Sequence, residues 1–301
     1  MLRQIKTKEL TWIDIIDLEK KDLDFLESEF HFHAIDLQEI THRSTRPKLE
    51  EYPGYLFAIV HSPVFDAKSR STTPAEVDIF ITEGHIITVH MGRVHLLDQF
   101  FKQINESTVL QERYVGRSSA YLLYSIMGVL IDSSFPKIDH IYEKIELAEH
   151  KIFNGEERAM VYELSAISRD LSGFRQIIRP QVHLYNPDML HGDFSTPAYK
   201  AIFKSIQSRL QRVWDALDNQ YEKISSLSET NSNLLSHKLN EFIKTLTLLS
   251  AIFIPLGVIC QVLPTISDAP RLNFVLFWII IGFMLTIDFV ILWYYRTRRM
   301  I

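Results

Sequence analysis

Hydrophobic and polar positions alternate in short stretches along most of the chain, but two long apolar runs follow one another near its C-terminal end. They cover residues 246–263 and 272–295, and neither contains Lys, Arg or Glu. A helix needs about 20 apolar residues to cross the hydrocarbon core of a bilayer. The pattern therefore predicts a hairpin of two transmembrane helices with a short turn at 264–271. The alternative is a buried hairpin in a large soluble core, but the rest of the chain is too polar to surround both helices.

Positive charges flank both ends of this hairpin. Lys238 and Lys244 precede the first run, and Arg296, Arg298 and Arg299 follow the second. An excess of Lys and Arg marks the cytoplasmic side of a membrane protein. We therefore expect an integral protein of the inner or plasma membrane, with the lipid bilayer as a partner and both termini in the cytoplasm.

The segment before the hairpin is helical over an unusual length. No Gly or Pro lies between Tyr199 and Pro255. A continuous helix over this segment would be roughly 80 Å long at about 1.5 Å per residue. Such a helix cannot fold back into a compact monomer and needs neighbours along its length, so we expect a homo-oligomer.

The first part of the chain mixes strands and helices, which predicts a small α/β unit. The pattern predicts strands at 11–16, 55–64, 77–82 and 86–90, helices at 17–30, 34–40 and 96–105, and a polar loop at 68–75.

The part that follows has only helical spacing, at 118–153 and 160–182, before the prolines and glycine of 180–197 break the pattern. We therefore divide the chain into an α/β cytoplasmic domain (1–117), a helical domain with its stalk (118–245), and a two-helix transmembrane domain with a short tail (246–301).

The totals exclude some classes of function. The formal net charge of the 301 residues is −5, which argues against nucleic acid as a partner. The single cysteine, Cys260, lies in the first apolar run, so no internal disulfide can form. The N-terminal stretch has no apolar core of a signal peptide, so we expect no cleaved signal.

Small and polar residues recur along the first apolar run in steps of three and four, a 3.5-residue repeat typical of parallel helices around a common axis. A bundle with this face inward would surround a narrow polar pore, with apolar rings at Ile243 and Ile254 that gate by dewetting. The alternative is ordinary close packing of small residues between helices. We call this stripe the seam; it consists of Asn240, Ile243, Thr247, Ser250, Ile254, Gly257 and Gln261, with Pro264 at the next step.

An acidic residue, Asp288, interrupts the second apolar run. A charge at the centre of a bilayer costs about 2.5 to 3.5 kcal/mol on insertion scales. Two interpretations stay open. One is a hydrogen-bonded or protonated acid that faces Ser250 or Thr247, and the other is a proton or cation site.

Five of the seven histidines in the first domain raise the question of an enzyme: His31, His33, His85, His90 and His95. Their spacing matches no zinc signature, and neither a Gly-rich phosphate loop nor a nucleophile elbow is present. We therefore expect no enzymatic activity, no catalytic residues and no covalently bound cofactor, with the histidines in structural or surface positions.

Four stretches together resemble the CorA-type divalent-cation transporter family. SHKLNEFIKTLTLLSAIFIPLGVI resembles the family's inner membrane helix, through Asn240-Glu241, Lys244, Leu246-Thr247, Ile252-Phe253 and Pro255-Leu256. RPKLEEYPGYLFAIVHSP, GHIITVH and LLYSIMGVLIDSSFPKIDHIYEKIELAE resemble its strand region, next strand and long charged helix. The resemblance implies a funnel-shaped homopentamer: an α/β cytoplasmic domain, a helical stalk, and two membrane helices of which the first lines a central pore.

The chain departs from that family at the outer mouth of the pore. The family's Gly-Met-Asn signature, which selects hydrated Mg²⁺, corresponds here to Pro264, Thr265 and Ile266, and its pore threonine corresponds to Gly257. Oxygens that contact the water shell recognise Mg²⁺ best, so a substitute filter would use Gln261, Thr265 and Asp268.

Two functions follow from the resemblance. The first is passage of a divalent cation, Mg²⁺ or a related ion such as Co²⁺, Ni²⁺ or Zn²⁺, with Asn240 as an inner polar ring. The second is a CorA-like membrane protein that does not transport Mg²⁺ and acts as a sensor, a scaffold or a channel for another ion. Cytoplasmic acids would sense a regulatory divalent cation, but the sequence does not assign those metal ligands.

Overall fold

The computed structural model describes residues 1–42, 44, 46–66 and 71–267, together with isolated positions between 275 and 289. The chain divides into two compact units, Met1–Glu229 and Thr230–Ile301. The predicted turn from 268 onward lies outside the described residues, as does most of the predicted second membrane helix at 272–295.

The first unit is built on one six-stranded sheet with the order β1-β2-β6-β5-β4-β3. Strands β2 and β6 are parallel neighbours, and the other neighbours are antiparallel. The strands are β1 Leu2–Lys6, β2 Thr11–Ile16, β3 Lys48–Tyr52, β4 Tyr55–Asp66, β5 Ser71–Ile81 and β6 His85–His90.

The β4–β5 hairpin is longer than its apolar pattern suggests. The two strands pair residue by residue from Leu56↔Ile81 to Asp66↔Ser71. The predicted polar loop at 68–75 is therefore wrong from Ser71 onward, because backbone pairing continues through polar side chains.

The apolar pattern alone does not predict β3, since Pro47 and the Pro53-Gly54 pair obscure it, although the stretch that resembles the family's strand region covers it. Gly54 has a φ of +86°, a conformation that favours glycine, and it turns β3 directly into β4 at the Tyr52↔Tyr55 pair.

Helices cover both faces of this sheet. The described α-helices are α1 Lys20–Phe30, α2 Ala34–Glu39, α3 His95–Asn105, α4 Thr108–Tyr114, α5 Ser119–Asp132, α6 Phe135–Phe153, α7 Glu157–Leu184 and α8 Pro197–Ser267. One buried cluster includes Leu26 and Leu37 from the α1–α2 side and Phe57, Phe80 and Ile87 from the sheet. On the α3 side, Trp12 is fully buried and packs against the rings of two phenylalanines, Phe100 and Phe101.

Two helix boundaries differ from the prediction. The helical spacing over 118–153 is divided at Ser133-Ser134, where α5 ends and α6 begins with Pro136 in its first turn. Proline suits this position because its missing N–H would be unpaired there in any case.

The helix α7 runs from Glu157 to Leu184, so it extends a few residues beyond each end of the predicted helix at 160–182 and includes Pro180. A tertiary contact stabilises its C-terminal end. The buried Gln181 amide donates to the carbonyl oxygen of His61 at 2.9 Å and accepts from the His61 N–H at 3.2 Å.

The predicted long helix is confirmed. The helix α8 has 71 residues and runs through Pro255. Within the first unit it buries a stripe with helical spacing: Tyr199, Phe203, Ile206, Leu210, Val213, Leu217, Ile224 and Leu227. Over the part of the chain that the structure describes, no helix combines the length and the mean hydropathy of a membrane-crossing segment.

Candidate pore-lining helix

All seven seam residues from Asn240 to Gln261 lie within α8. An α-helix turns about 100° per residue, so alternating steps of three and four keep these positions on one face about 100° wide. Asn240, Thr247 and Gln261 are exposed, and Ser250 and Gly257 are half-buried. The helix therefore brings the predicted seam together as one accessible, largely polar face.

The two isoleucines of the seam are also accessible. Ile243 is 50% exposed and Ile254 is 66% exposed. They are separated by three helical turns, which is about 16 Å along the axis. On one helix these side chains form two apolar points on an otherwise polar face, and in a ring of helices each point would become an apolar constriction.

The other faces of this part of α8 are apolar and equally uncovered. The exposed fractions of the side chains exceed 40% at Leu239, Phe242, Leu246, Leu249, Ile252 and Phe253. A continuous apolar surface of this kind marks an interaction site in a stable protein. Within one chain, residues 239–258 thus lack the apolar surroundings that their composition requires.

The hydroxyl of Thr247 on the seam is hydrogen-bonded within its own helix. It donates to the carbonyl oxygen of Ile243 in the preceding turn at 2.8 Å. The hydroxyl proton is therefore used within the helix, and the oxygen keeps lone pairs that can accept from water. Thr245 makes the same contact with Glu241 at 3.0 Å.

The predicted outer mouth lies at the end of the described helix. Pro264, Thr265 and Ile266 belong to the last turns of α8, which ends at Ser267. Asp268 and the acid predicted to lie within the membrane, Asp288, are outside the described residues. The substitute filter of Gln261, Thr265 and Asp268 stays a prediction, as do both interpretations of Asp288.

The described residues contain no group of three or more His, Cys, Asp or Glu side chains arranged to hold a metal ion. The acids expected to sense a divalent cation thus remain unassigned.

The five histidines do not converge. His31 ends α1 in a left-handed conformation, His33 precedes α2, and His95 begins α3. The ring of His85 lies edge-on to Phe30, with 5.0 Å between the ring centres. Only His90 takes part in a buried charge network, where its Nε2 lies 3.3 Å from an oxygen of Asp14.

Asp14 and two residues of β4 and β5, His61 and Asp78, were not singled out from the sequence, although all three are buried. The available signal was a charged residue inside an otherwise apolar strand, as in TWIDII and VDIFI.

The comparisons with known proteins agree with this architecture. The family description "CorA-like Mg2+ transporter protein" matches residues 7–297. The cobalt/magnesium transport protein CorA of Thermotoga maritima is 23% identical over 257 residues, which cover 84% of this chain and 72% of that protein. The zinc transport protein ZntB of Pectobacterium atrosepticum is 25% identical over 224 residues, which cover 70% of this chain and 63% of that protein.

A solved structure shows the same fold. The complete CorA magnesium transporter from Methanocaldococcus jannaschii superposes with a TM-score of 0.76 at 20% identity, covering 97% of this chain and 92% of the other. The class is thus that of metal-ion transporters with a mixed α/β domain and one very long C-terminal helix. The chain belongs to the CorA-like Mg²⁺ transporter family.

Proposed function

We propose that this protein passes divalent cations across a membrane through a central pore lined by the seam of α8 in a homopentamer. Family membership supports transport, and the relatives named above include cobalt/magnesium and zinc transport proteins. The observation that carries the proposal is the polar seam on one accessible face of a helix whose other faces are apolar and uncovered.

In this proposal the apolar runs 246–263 and 272–295 cross the bilayer as a hairpin. Lipid covers the outward faces of α8, and the seam faces the water-filled axis that the copies share. Lys238 and Lys244 place the preceding part of the chain, with both termini, on the cytoplasmic side. The domains 1–117 and 118–245 form the cytoplasmic body, which has no enzymatic role.

The seam suits a cation that keeps its water shell. Mg²⁺ dehydrates reluctantly and is best contacted through its bound waters. The side-chain oxygens of Asn240, Thr247, Ser250 and Gln261 can accept hydrogen bonds from those waters at successive levels of the pore. Ile243 and Ile254 would form rings that exclude water when the pore is narrow and so close it.

The outer mouth supports a second candidate function. Pro264, Thr265 and Ile266 stand where the family carries Gly-Met-Asn, so the asparagine oxygen is missing. If Gln261, Thr265 and Asp268 do not replace it, the protein is a CorA-like sensor, scaffold or channel for a different ion. The choice between the two functions depends on whether Mg²⁺ passes.

The test is ion flux through the purified full chain in liposomes loaded with a divalent-cation indicator. Mg²⁺, Co²⁺, Ni²⁺ and Zn²⁺ are added in turn to wild type and to Gln261→Ala. We expect flux of at least one of these ions in wild type, and a several-fold decrease in the variant because one ring of water-binding oxygens is lost. Gln103→Ala, an exposed change on α3, is the matched control and should leave flux unchanged.

The outcomes separate the proposals. Absence of flux for all four ions in a correctly inserted oligomer would overturn divalent-cation transport and favour the sensor or scaffold. Flux that is the same in Gln261→Ala and wild type would overturn the substitute filter but retain the transporter.

A further inference from the structure

A shallow groove of about 530 Å³ runs between α6 and α7 in the first unit. These helices are joined only by the short turn 154–156, so they are antiparallel neighbours. The floor of the groove is apolar, and no described residue that lines it belongs to the seam. The apolar lining residues include Phe65 of β4, Ile141 and Leu147 of α6, and Met160, Ala166 and Ile167 of α7.

Lysines recur at intervals of seven residues on the α6 side of this groove. They are Lys137, Lys144 and Lys151, of which the last two line the groove. Seven residues are close to two turns of an α-helix, so these side chains lie on one face of α6. We call this row of lysines the basic stripe.

Carboxylates recur at the same interval on the α7 side. They are Glu156, which precedes α7 as its N-cap residue, and Glu163 and Asp170, which line the groove. We call this row of carboxylates the acidic stripe. The groove therefore has basic charges along one side and acidic charges along the other, with an apolar floor between them.

The two stripes do not neutralise each other within one chain. Among the described residues, no ion pair joins the basic stripe to the acidic stripe. The described ion pairs of α6 are instead those of Glu143 with His140 and of Glu149 with Lys223 on α8, and none of these residues belongs to a stripe.

One end of each stripe is bonded to the backbone of the sheet. Lys137 donates to a carbonyl oxygen of β4, and Asp170 accepts from the N–H of Thr72 on β5 at 2.6 Å. The other stripe residues form no ion pair within the described part of the chain, so their charges are available to a partner. These residues are Lys144, Lys151, Glu156 and Glu163.

The groove also leaves apolar side chains uncovered. Leu147 is 57% exposed and Phe65 is 44% exposed. On the other side of the groove, the small side chain of Ala166 is exposed as well and leaves space above α7. A leucine of a facing helix fits over such a small residue as a knob enters a hole. A helical partner would therefore cover the apolar floor and meet both charged sides.

A second copy of the same groove has the required pattern. Rotation by 180° about an axis parallel to the helices places α6 of one copy over α7 of the other, so each basic stripe meets an acidic stripe. Counted from the turn 154–156, Glu163 comes level with a point between Lys144 and Lys151. Opposite charges beside an apolar helix contact determine which partner binds and in which orientation.

We propose that the α6–α7 groove binds the same groove of a second copy of this protein in a two-fold symmetric contact. Lys144 and Lys151 of each copy pair with Glu163 of the other copy, and Leu147 packs over Ala166. Both partners use the same surface in such a contact, whereas a five-membered ring is closed by two different surfaces. The contact therefore joins chains of two separate pentamers, and it does not depend on ion transport.

The test is sedimentation velocity of the purified full chain in detergent, at protein concentrations up to about 100 μM. We expect the smallest stable assembly to associate further as the concentration rises, and to associate less at about 0.5 M NaCl because salt screens exposed charges. Leu147→Ser should weaken this association because it removes the apolar contact. Glu9→Lys, an exposed change between β1 and β2, is the control and should associate like wild type.

Exchange of charges between the stripes identifies the contact. Glu163→Lys should weaken the association at least about tenfold, because a two-fold contact then contains the like charges twice. Lys144→Glu with Lys151→Glu should weaken it for the same reason. The triple variant that combines all three changes should associate nearly as tightly as wild type, because the two stripes have only exchanged their charges.

The outcomes separate this contact from the proposed pore. The size of the smallest assembly depends on the seam and should be the same in all variants. Wild type that does not associate further would overturn the proposal and leave the groove to a different helical partner. Association of Glu163→Lys equal to that of wild type, or a triple variant no tighter than Glu163→Lys, would also overturn it.

Discussion

Asp14 is a fully buried charge whose partners the structure shows. The Nε–H of Arg3 donates to it at 2.9 Å, the hydroxyl of Thr88 donates to its other oxygen, and His90 approaches at 3.3 Å. The Trp12 indole N–H in turn donates to Thr88 at 3.1 Å. A buried carboxylate is tolerated when it is paired and hydrogen-bonded in this way. The network joins β1, β2 and β6 on the α3 side of the sheet.

The pKa of His90 gives this network a pH dependence. Burial disfavours the charged ring, but the hydrogen bond and charge of Asp14 outweigh burial and raise the pKa above 6.5. A raised folded-state pKa adds stability that is fully present below the unfolded value and is lost as pH rises through the folded value. We predict that His90→Gln lowers the melting temperature more at pH 6 than at pH 9.

The measurement is thermal unfolding of wild type and variant at both pH values. The exposed His140→Gln on α6 is the control and should show no such difference. A decrease in the melting temperature of His90→Gln that is equal at both pH values, or greater at pH 9, would contradict the assigned charge of His90.

At the scale of single elements, periodicity predicts α8 and most strands because their apolar residues recur at regular intervals. Where it fails, backbone pairing or tertiary contact decides. The stretch from Ser71 to Ala75 has no apolar pattern yet pairs with β4, and α7 ends later than predicted, at Leu184, where Gln181 contacts His61. The seam could be predicted because one helix carries it. A cavity lined by His61, Glu76 and Asp78 could not be predicted, since only the pairing of β4 with β5 brings these residues together.

The β3–β4 turn depends on one backbone conformation. Gly54 has a φ of +86°, and a Cβ at this position would meet no atom within 4 Å. The cost of Gly54→Ala is therefore conformational and should be about 1 to 2 kcal/mol. Gly84→Ala at the β5–β6 turn, which is equally open but lacks a positive φ, should cost less. Urea unfolding of both variants measures the two costs. Equal decreases in the free energy of unfolding would contradict a special role for the positive φ of Gly54.

The same substitution, isoleucine to alanine, is predicted to affect cation flux differently on the two sides of α8. Ile254 lies on the seam, whereas Ile252 lies on the opposite face, and both are exposed at 66% and 44%. Ile254→Ala would widen an apolar ring and should raise cation flux several-fold. Ile252 faces lipid in the proposed assembly, so Ile252→Ala should change cation flux little. Cation flux into liposomes, measured for both variants, tests which face lines the pore. A larger change of flux in Ile252→Ala than in Ile254→Ala would refute the assignment.

At the scale of the whole molecule, the uncovered part of α8 is the feature that requires an assembly. Burying apolar surface is worth roughly 25 cal/mol per Å², and the side chains from Leu239 to Val258 bury little of it within one chain. Lipid can cover the apolar faces, but it does not satisfy Asn240, Thr247 or Gln261. In the proposed pore, neighbouring seams around a water-filled axis would satisfy both kinds of surface together.

The most direct test of this account is disulfide cross-linking of the full chain in membranes. Cys260 is the single native cysteine, so Cys260→Ser provides a cysteine-free background. Ser250→Cys on the seam and Ile252→Cys on the opposite face are then oxidised under identical conditions. If the seam surrounds a shared axis, Ser250→Cys forms covalent dimers rapidly and Ile252→Cys does not. Cross-linking through Ile252→Cys but not through Ser250→Cys would place the seam against lipid and contradict the pore.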